Sequence, residues 1–279
     1  MAHTPTILLT GATDGIGLQT AEDLAATGAH LILHGRSQAK LDAVVAALQR
    51  IPGRGELETV VADLSDLDQV RALAAEIDRR LGERGLDVLL NNAGVYVNQR
   101  KTGAQGHELT WTVNYLAPFL LSHLLLPALR RSQDGGRIIN VGSVAHSRAK
   151  LRWDDLDFSR GYGAYEAYAQ SKLALTMFST ELAQRLGDAG PTVVSLHPGV
   201  VSTKLLTEGF GVEGSDSLRE GAATSVYLAL LPTDRLRADN GAYYVRKQVT
   251  ASNPLARDSR ARERLYERSC ELVGISGVS

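Results

Sequence analysis

The 279-residue chain reads as one α/β domain spanning residues 1–279, a doubly wound, mostly parallel sheet of seven strands with helices on both faces. Three observations predict it. Short β-rich apolar runs alternate with longer runs of helical period. A glycine-rich turn joins the first of these strands to the first helix. No repeat, linker or low-complexity stretch interrupts the alternation, so right-handed crossovers wind the sheet outward on both sides.

Thr6 to Leu9 is the first strand, and the helix after it places Ile16, Thr20 and Leu24, with Ala21 and Ala25, along one face. Leu31 to Leu33 is the second strand, and the helix Leu41 to Leu48 stops before Pro52-Gly53. Leu57 to Val61 is the third strand, followed by a helix from Asp66 to Leu81 that turns Val70, Leu73, Ala74 and Ile77 inward. Val88 to Leu90 and Arg137 to Val141 are strands four and five, separated by a long apolar helix around Pro118 to Leu129. Tyr165 to Leu186 is helical, Thr192 to Leu196 a strand, Gly221 to Leu230 a helix and Ala242 to Val245 the seventh strand. Glu263 to Leu272 forms a terminal helix.

The 30 basic and 31 acidic residues give a net charge of −1, which argues against nucleic acid or an anionic membrane as a partner. A single cysteine, Cys270, excludes an internal disulfide and fits a reducing compartment. The first residues lack the basic region and cleavage site of a signal peptide, and the most apolar stretch, Leu116 to Leu129, is too short to span a bilayer. The expectation is a cytoplasmic protein.

The turn Thr10-Gly11-Ala12-Thr13-Asp14-Gly15-Ile16-Gly17 follows a strand and opens a helix. Glycines let the backbone approach a pyrophosphate, and the helix N-terminus offers free amides and the positive end of a dipole. This is the pattern of a dinucleotide site.

The spacing TGxxxGxG resembles that of the short-chain dehydrogenase/reductases. The same order continues with Asn91-Asn92-Ala93-Gly94, Asn114, Ser143, Tyr168 to Lys172 and Pro198-Gly199, covering nearly the whole chain. Within that family the chain looks most like the retinol-dehydrogenase-like group, on Val113-Asn114-Tyr115-Leu116, Ser143-Val144-Ala145-His146, His197 to Val201 and the tail from Ala256 to Tyr266. The resemblance implies a Rossmann-type fold and a nicotinamide cofactor. It places Gly11, Thr13, Asp14, Gly15, Ile16 and Gly17 at the phosphates, Asp63 and Leu64 by the adenine, and Asn91, Ala93 and Gly94 by the adenosine ribose. Pro198, Gly199, Val201 and Thr203 fall on the nicotinamide side.

The end of the second strand reads His34-Gly35-Arg36-Ser37, with an arginine where NAD-preferring sites carry a carboxylate. A guanidinium hydrogen bond to a phosphate contributes ~1.5–3 kcal/mol, so NADP is expected over NAD.

Hydride transfer to a carbonyl needs an acid, a donor that polarises the oxygen, and a proton supply. Tyr168 and Lys172 lie one helical turn apart on one face, where the ammonium favours the phenolate and, by resemblance, holds the nicotinamide ribose. Ser143, just past the fifth strand, is the polarising donor. Asn114 matches the family residue whose backbone holds a water beside the lysine. Ala117-Pro118 replaces the Gly-His pair found near that residue in relatives.

Family position also places Tyr96, His146, Trp153, Leu205, Leu206 and Phe210 around an apolar small-molecule substrate, under a lid of about 200–217 hinged by Gly209, Gly211 and Gly214. His30 and His34 lie ~13 Å apart along a strand, so no metal is expected. The arginines from Arg257 to Arg268 alternate with acids and read as a solvated helix face. The apolar faces of the Pro118–Leu129 and Tyr165–Leu186 helices resemble those that pair in family dimers, so a homodimer or homotetramer is expected. Two rival readings are a non-catalytic NADP(H) sensor and an epimerase or dehydratase; an intact Ser143, Tyr168 and Lys172 speaks against the first.

Overall fold

The computed structural model describes residues 4–278. Strands β1 (Thr6–Leu9), β2 (His30–Gly35), β3 (Leu57–Val61), β4 (Val88–Asn91), β5 (Arg137–Val141), β6 (Thr192–His197) and β7 (Tyr243–Val245) run parallel in the order β3-β2-β1-β4-β5-β6-β7. The order reverses between β1 and β4, and the crevice at the carboxyl ends there is where ligands of such sheets bind.

The central strands are mostly apolar because both faces are covered. Leu8, Ile32, Leu89, Ile138 and Val193 enter one core, facing α3 (Leu67–Leu81), α5 (Ala117–Leu124) and α7 (Ala164–Leu186). Their neighbours Ile7, Leu33, Leu90, Ile139 and Val194 enter a second core on the opposite side, under α1 (Gly15–Ala25), α2 (Gln38–Leu48) and α8 (Leu218–Leu230). Side-chain acceptors fix the helix starts: Asp14 accepts from Gly15 N, Asp66 from Asp68 N, and Ser217 with Glu220 forms a reciprocal capping box.

The sheet has eight strands, where the sequence predicts seven. β8 (Gln248–Val249) folds back antiparallel on β7. Arg246 and Lys247 form the turn with φ of 49° and 64°, conformations that usually call for Asn or Gly, so the sequence carries no hairpin signal. The predicted helix Pro118–Leu129 is also broken. It opens with α4 (Leu109–Trp111) and a π-helical turn over Thr112–Leu116, continues as α5, and restarts after Leu125 as α6 (Leu126–Arg130). The π turn and the break at Leu125 each lie near a proline, Pro118 or Pro127, that cannot donate to the residue four before it. Short helices α9 (Thr233–Arg237) and α10 (Pro254–Arg257) precede α11 (Ser259–Val273).

The face formed by α5 and α7, predicted to pair across a two-fold, is covered by the chain's own α11. Tyr266 stacks against Phe119 at 5.5 Å, its hydroxyl donates to His123 Nε2 at 2.7 Å, and Arg185 lies 4.1 Å over its ring. Tyr115 and Ser269 share a 2.6 Å hydrogen bond. Arg262 is buried against Glu181 at 3.1 Å and Gln184 at 2.6 Å, and Arg264 lies over Trp153. The arginine run is therefore a docking face rather than a fully solvated one. No helix among the described residues is long and apolar enough to cross a membrane.

Candidate active site

The glycine turn sits at the switch between β1 and β4 and is held from below. Asn92 Nδ2 donates to the carbonyls of Thr10 at 2.8 Å and Gly11 at 3.2 Å. Gly11 has a φ of 68°, and a Cβ on Gly17 would lie 2.0 Å from Gly11 O. The backbone itself thus makes a cradle that a side chain would fill, which fits a pyrophosphate laid across the N-terminus of α1. His34 braces the same turn: its Nδ1 accepts from Gly11 N at 3.3 Å while its Nε2 donates to Ala62 O at 3.0 Å. Burial pulls its pKa down to about 4, so the ring is neutral as this tautomer requires. Neither Asn92 nor His34 is singled out by the sequence, where both read as neighbours of more telling residues.

Arg36 is exposed immediately after β2. Asp14 and the lid meet through Lys204, whose Nζ lies 2.6 Å from Asp14 Oδ2, and Thr203 lies over Gly15. Thr13 lies beside Gly35, Ile16 and Val201 meet at Gly221, and Pro198 and Gly199 lead from β6 into the lid, where Gly199 adjoins Asp216. Ala93 contacts Gly11.

Three predicted cofactor contacts have their side chains engaged elsewhere. Asn91 is buried, donating to Asn140 Oδ1 at 2.8 Å and Ser122 Oγ at 3.3 Å. Leu64 belongs to the main core. Asp63 accepts from Ser65 N at 2.9 Å, capping the following turn.

At the other end of the cleft, α7 brings Tyr168 beside Ser143, whose hydroxyl accepts from Ala145 N at 3.2 Å. Burial pushes the Tyr168 phenol up to about 12, with the nearby Ser143 hydroxyl opposing the rise. Lys172 lies 5.8 Å from the centre of the Tyr168 ring, with its Nζ donating to Val141 O at 2.9 Å. Burial pulls its pKa from 10.5 down to about 8. A methyl group built on Gly94 would touch Asn114 Oδ1 at 3.4 Å and Lys172 Nζ at 3.5 Å, so the three residues converge.

Both side-chain groups of Asn114 are in use, with Oδ1 accepting from Val95 N at 2.8 Å and Nδ2 donating to Val95 O and Ser171 Oγ. Asn114 lies in the π turn, and Pro118, four residues on, has no N–H to offer the Asn114 backbone carbonyl.

The buried lysine is costly to the fold. A lysine whose folded pKa is lower than its unfolded value destabilises the protein wherever the unfolded chain holds the extra proton. The penalty is full below about 8 and fades as pH rises toward 10.5. Lys172→Met should therefore raise the stability of the cofactor-free protein at pH 7 by on the order of 2 kcal/mol, after the lost bond to Val141 is discounted. Thermal melts followed by circular dichroism check this, and the gain should shrink by pH 10.

Of the predicted substrate residues, the structure gathers three. Phe210 of the lid, within a π-helical turn over Leu205–Phe210, lies 4.1 Å from the ring of Tyr96 and 5.2 Å from that of Tyr168. Leu205 packs on the same cluster. Leu206 is half-buried in the turn without joining it. Two do not line the site. Trp153 packs on the main core beneath Arg264. His146 is 1% exposed, held behind Ser143. His30, rather than pairing with His34, lies 2.9 Å from Glu58 and 3.8 Å from Glu56, beside Arg80 and Arg84 at the far end of the strands.

A family profile described as short chain dehydrogenase matches residues 5–210. Retinol dehydrogenase 12 of Bos taurus is 37% identical over 277 residues, covering 96% of this chain and 86% of the relative. The polyprenol dehydrogenase of Homo sapiens is 35% identical over 288 residues, covering 98% and 86%. Among solved structures, an uncharacterised protein of Mycobacterium paratuberculosis superposes with a TM-score of 0.78 at 31% identity, covering 98% of this chain and 94% of its own. NADPH-bound carbonyl reductase from chicken fatty liver gives 0.69 at 26%, covering 89% and 99%. The glycine cradle, the meeting of Ser143 with Tyr168 and these likenesses agree, and the chain belongs to the short-chain dehydrogenase family, in its retinol-dehydrogenase-like group.

Proposed function

We propose that this oxidoreductase uses NADP(H) to move a hydride between the nicotinamide and a carbonyl or secondary alcohol of an apolar small molecule, with Tyr168 as general acid and base. The observation that carries the proposal is a buried phenol beside Ser143 beneath the aromatic lid residue Phe210. When bound, the dinucleotide supplies or takes up the hydride. Ser143 polarises the substrate oxygen. Tyr168, with a pKa near 12, is protonated at neutral pH and is the acid that reduction requires. Lys172 and a water accepted on the Asn114 carbonyl, which Pro118 has no N–H to occupy, form the route that returns the proton. Phe210, Tyr96 and Leu205 exclude water, and the substrate takes the place of Phe210 against Tyr168.

The names of the relatives, retinol and polyprenol dehydrogenase, support a substrate with a long apolar body. A cytoplasmic location belongs to this reading, supported by a single buried thiol, Cys270, whose pKa burial raises. Because α11 covers the α5–α7 face, a homodimer or homotetramer of this chain would pair through another surface.

Arg36 carries the cofactor preference. Titration with NADPH and NADH, followed by nicotinamide fluorescence, should show NADPH bound more tightly. Arg36→Ala should weaken NADPH by about 10- to 100-fold, the value of a charge-assisted bond to phosphate, and leave NADH nearly unchanged. Equal weakening of both would remove Arg36 from phosphate recognition.

A further inference from the structure

The peptide that follows Ser143 is held at both ends by a histidine ring. His146 Nδ1 lies 2.7 Å from the Ser143 carbonyl oxygen, and His197 Nδ1 lies 3.3 Å from the Val144 N–H. A carbonyl can only accept and a backbone N–H can only donate, so the partners dictate the tautomers. His146 must carry its proton on Nδ1. His197 must leave Nδ1 bare and carry its proton on Nε2.

The rest of each environment agrees with this assignment. With its proton on Nδ1, His146 has a free lone pair on Nε2, and the Asn253 N–H lies 3.3 Å from it. Asn253 is buried and donates its side-chain amide to the carbonyls of His146, Ser147 and Ala149 at 2.9 to 3.1 Å, which locks the turn carrying the ring. Its Oδ1 accepts from Leu255 N, so the lock is tied to the start of α10. The ring of Tyr243 lies 4.5 Å from that of His146. Both histidines are buried, and burial lowers both pKa values, to about 4 for His197, so both rings are neutral as the clamp needs. The charges acting on His197 are Asp216, which opposes the fall, and His146 and Arg246, which reinforce it.

We propose that His146 and His197 are positioning residues that clamp the Ser143–Val144 peptide plane and thereby aim the Ser143 hydroxyl at Tyr168 and the substrate oxygen. The hydroxyl direction depends on the backbone that bears it, because Ser143 has a single side-chain torsion. Fixing the carbonyl on one side of the plane and the N–H on the other leaves that torsion, which the 3.2 Å bond from Ala145 N to Ser143 Oγ then sets. The role assigned to Ser143 rests on the proposed hydride transfer.

The test has a substrate-free arm and a kinetic arm. In ¹⁵N-histidine-labelled protein at pH 7, the ring shifts should report His146 protonated at Nδ1 and His197 at Nε2. The reverse tautomer at either ring overturns the clamp whatever the protein's substrate. For kinetics, all-trans-retinal and 4-nitrobenzaldehyde serve as probes with NADPH. His146→Ala and His197→Ala should each lower kcat about 10- to 100-fold, the scale of a sub-ångström to 1 Å misplacement, with KM and NADPH binding little changed. His146→Asn keeps a donor near the Nδ1 position, and His197→Asn keeps an acceptor there, so both should recover most of the loss. An alanine variant with wild-type kcat, or an asparagine variant no better than its alanine counterpart, overturns the positioning role. No turnover by the wild type with either probe, while the tautomers stand as assigned, counts against the hydride-transfer reading and with it the aiming of Ser143, but leaves the clamp in place.

Discussion

Replacing Tyr168 by Phe is expected to leave NADPH affinity unchanged while carbonyl reduction falls by about 10²- to 10⁴-fold, the range carried by a positioned general acid. The substitution removes one oxygen and keeps the ring. The contacts with Phe210 at 5.2 Å and Tyr96 at 5.7 Å are made by that ring, so the lid closes as before. Ser143 loses its phenol neighbour but keeps its backbone position. The two tyrosines nearest in sequence are engaged elsewhere: Tyr162 donates to Val97 O, and Tyr165 is half-exposed, its ring packed edge-on against Phe210. Fluorescence titration and steady-state kinetics on one preparation separate binding from chemistry. Full activity in the variant would remove Tyr168 from the mechanism.

The second large effect concerns Gly17. In Gly17→Ala the new Cβ would lie 2.0 Å from Gly11 O and 2.5 Å from Asn92 Nδ2. Neither neighbour can yield cheaply, since one is backbone and the other is the amide that ties the turn to β4. The turn must open, and the amides that face the pyrophosphate lose their common geometry. NADPH and NADH binding should both fall by more than about 100-fold, with a loss of fold stability of about 1–3 kcal/mol from overpacking. Titration at a temperature where near-ultraviolet circular dichroism shows the native fold checks this. A variant that binds both nucleotides normally would show that the cradle is not the phosphate site.

These two predictions fall where the sequence is most informative. Tyr168 and Lys172 share a face because they are four residues apart on a helix, and the glycine turn is placed by its position between an apolar strand and an amphipathic helix. β1, β3 and β5 begin and end where their apolar runs do. Those signals are local, and a period of 3.6 or a closed apolar run survives in any context.

What the sequence does not record has a different character. Asn91, Leu64, Trp153 and His146 are placed at the site by family position, yet their side chains face inward. Which way a residue at a strand end turns depends on the neighbouring strand, here Asn140 for Asn91. Asn92 and His34 brace the glycine turn through contacts 81 and 23 residues away in sequence, which no local pattern records. The β7–β8 hairpin turns on two residues, Arg246 and Lys247, that are not turn formers.

The amino-acid sequence by itself determined the doubly wound class, the glycine cradle, the paired Tyr168 and Lys172, and Arg36 at the end of β2, because each rests on residue type and short spacing. Only the tertiary structure decided that α11 covers the face predicted for a partner, that Phe210 closes on Tyr168, and that His146 and His197 grip one peptide. Those outcomes depend on hydrogen bonds and burial between segments that meet only after the sheet is assembled.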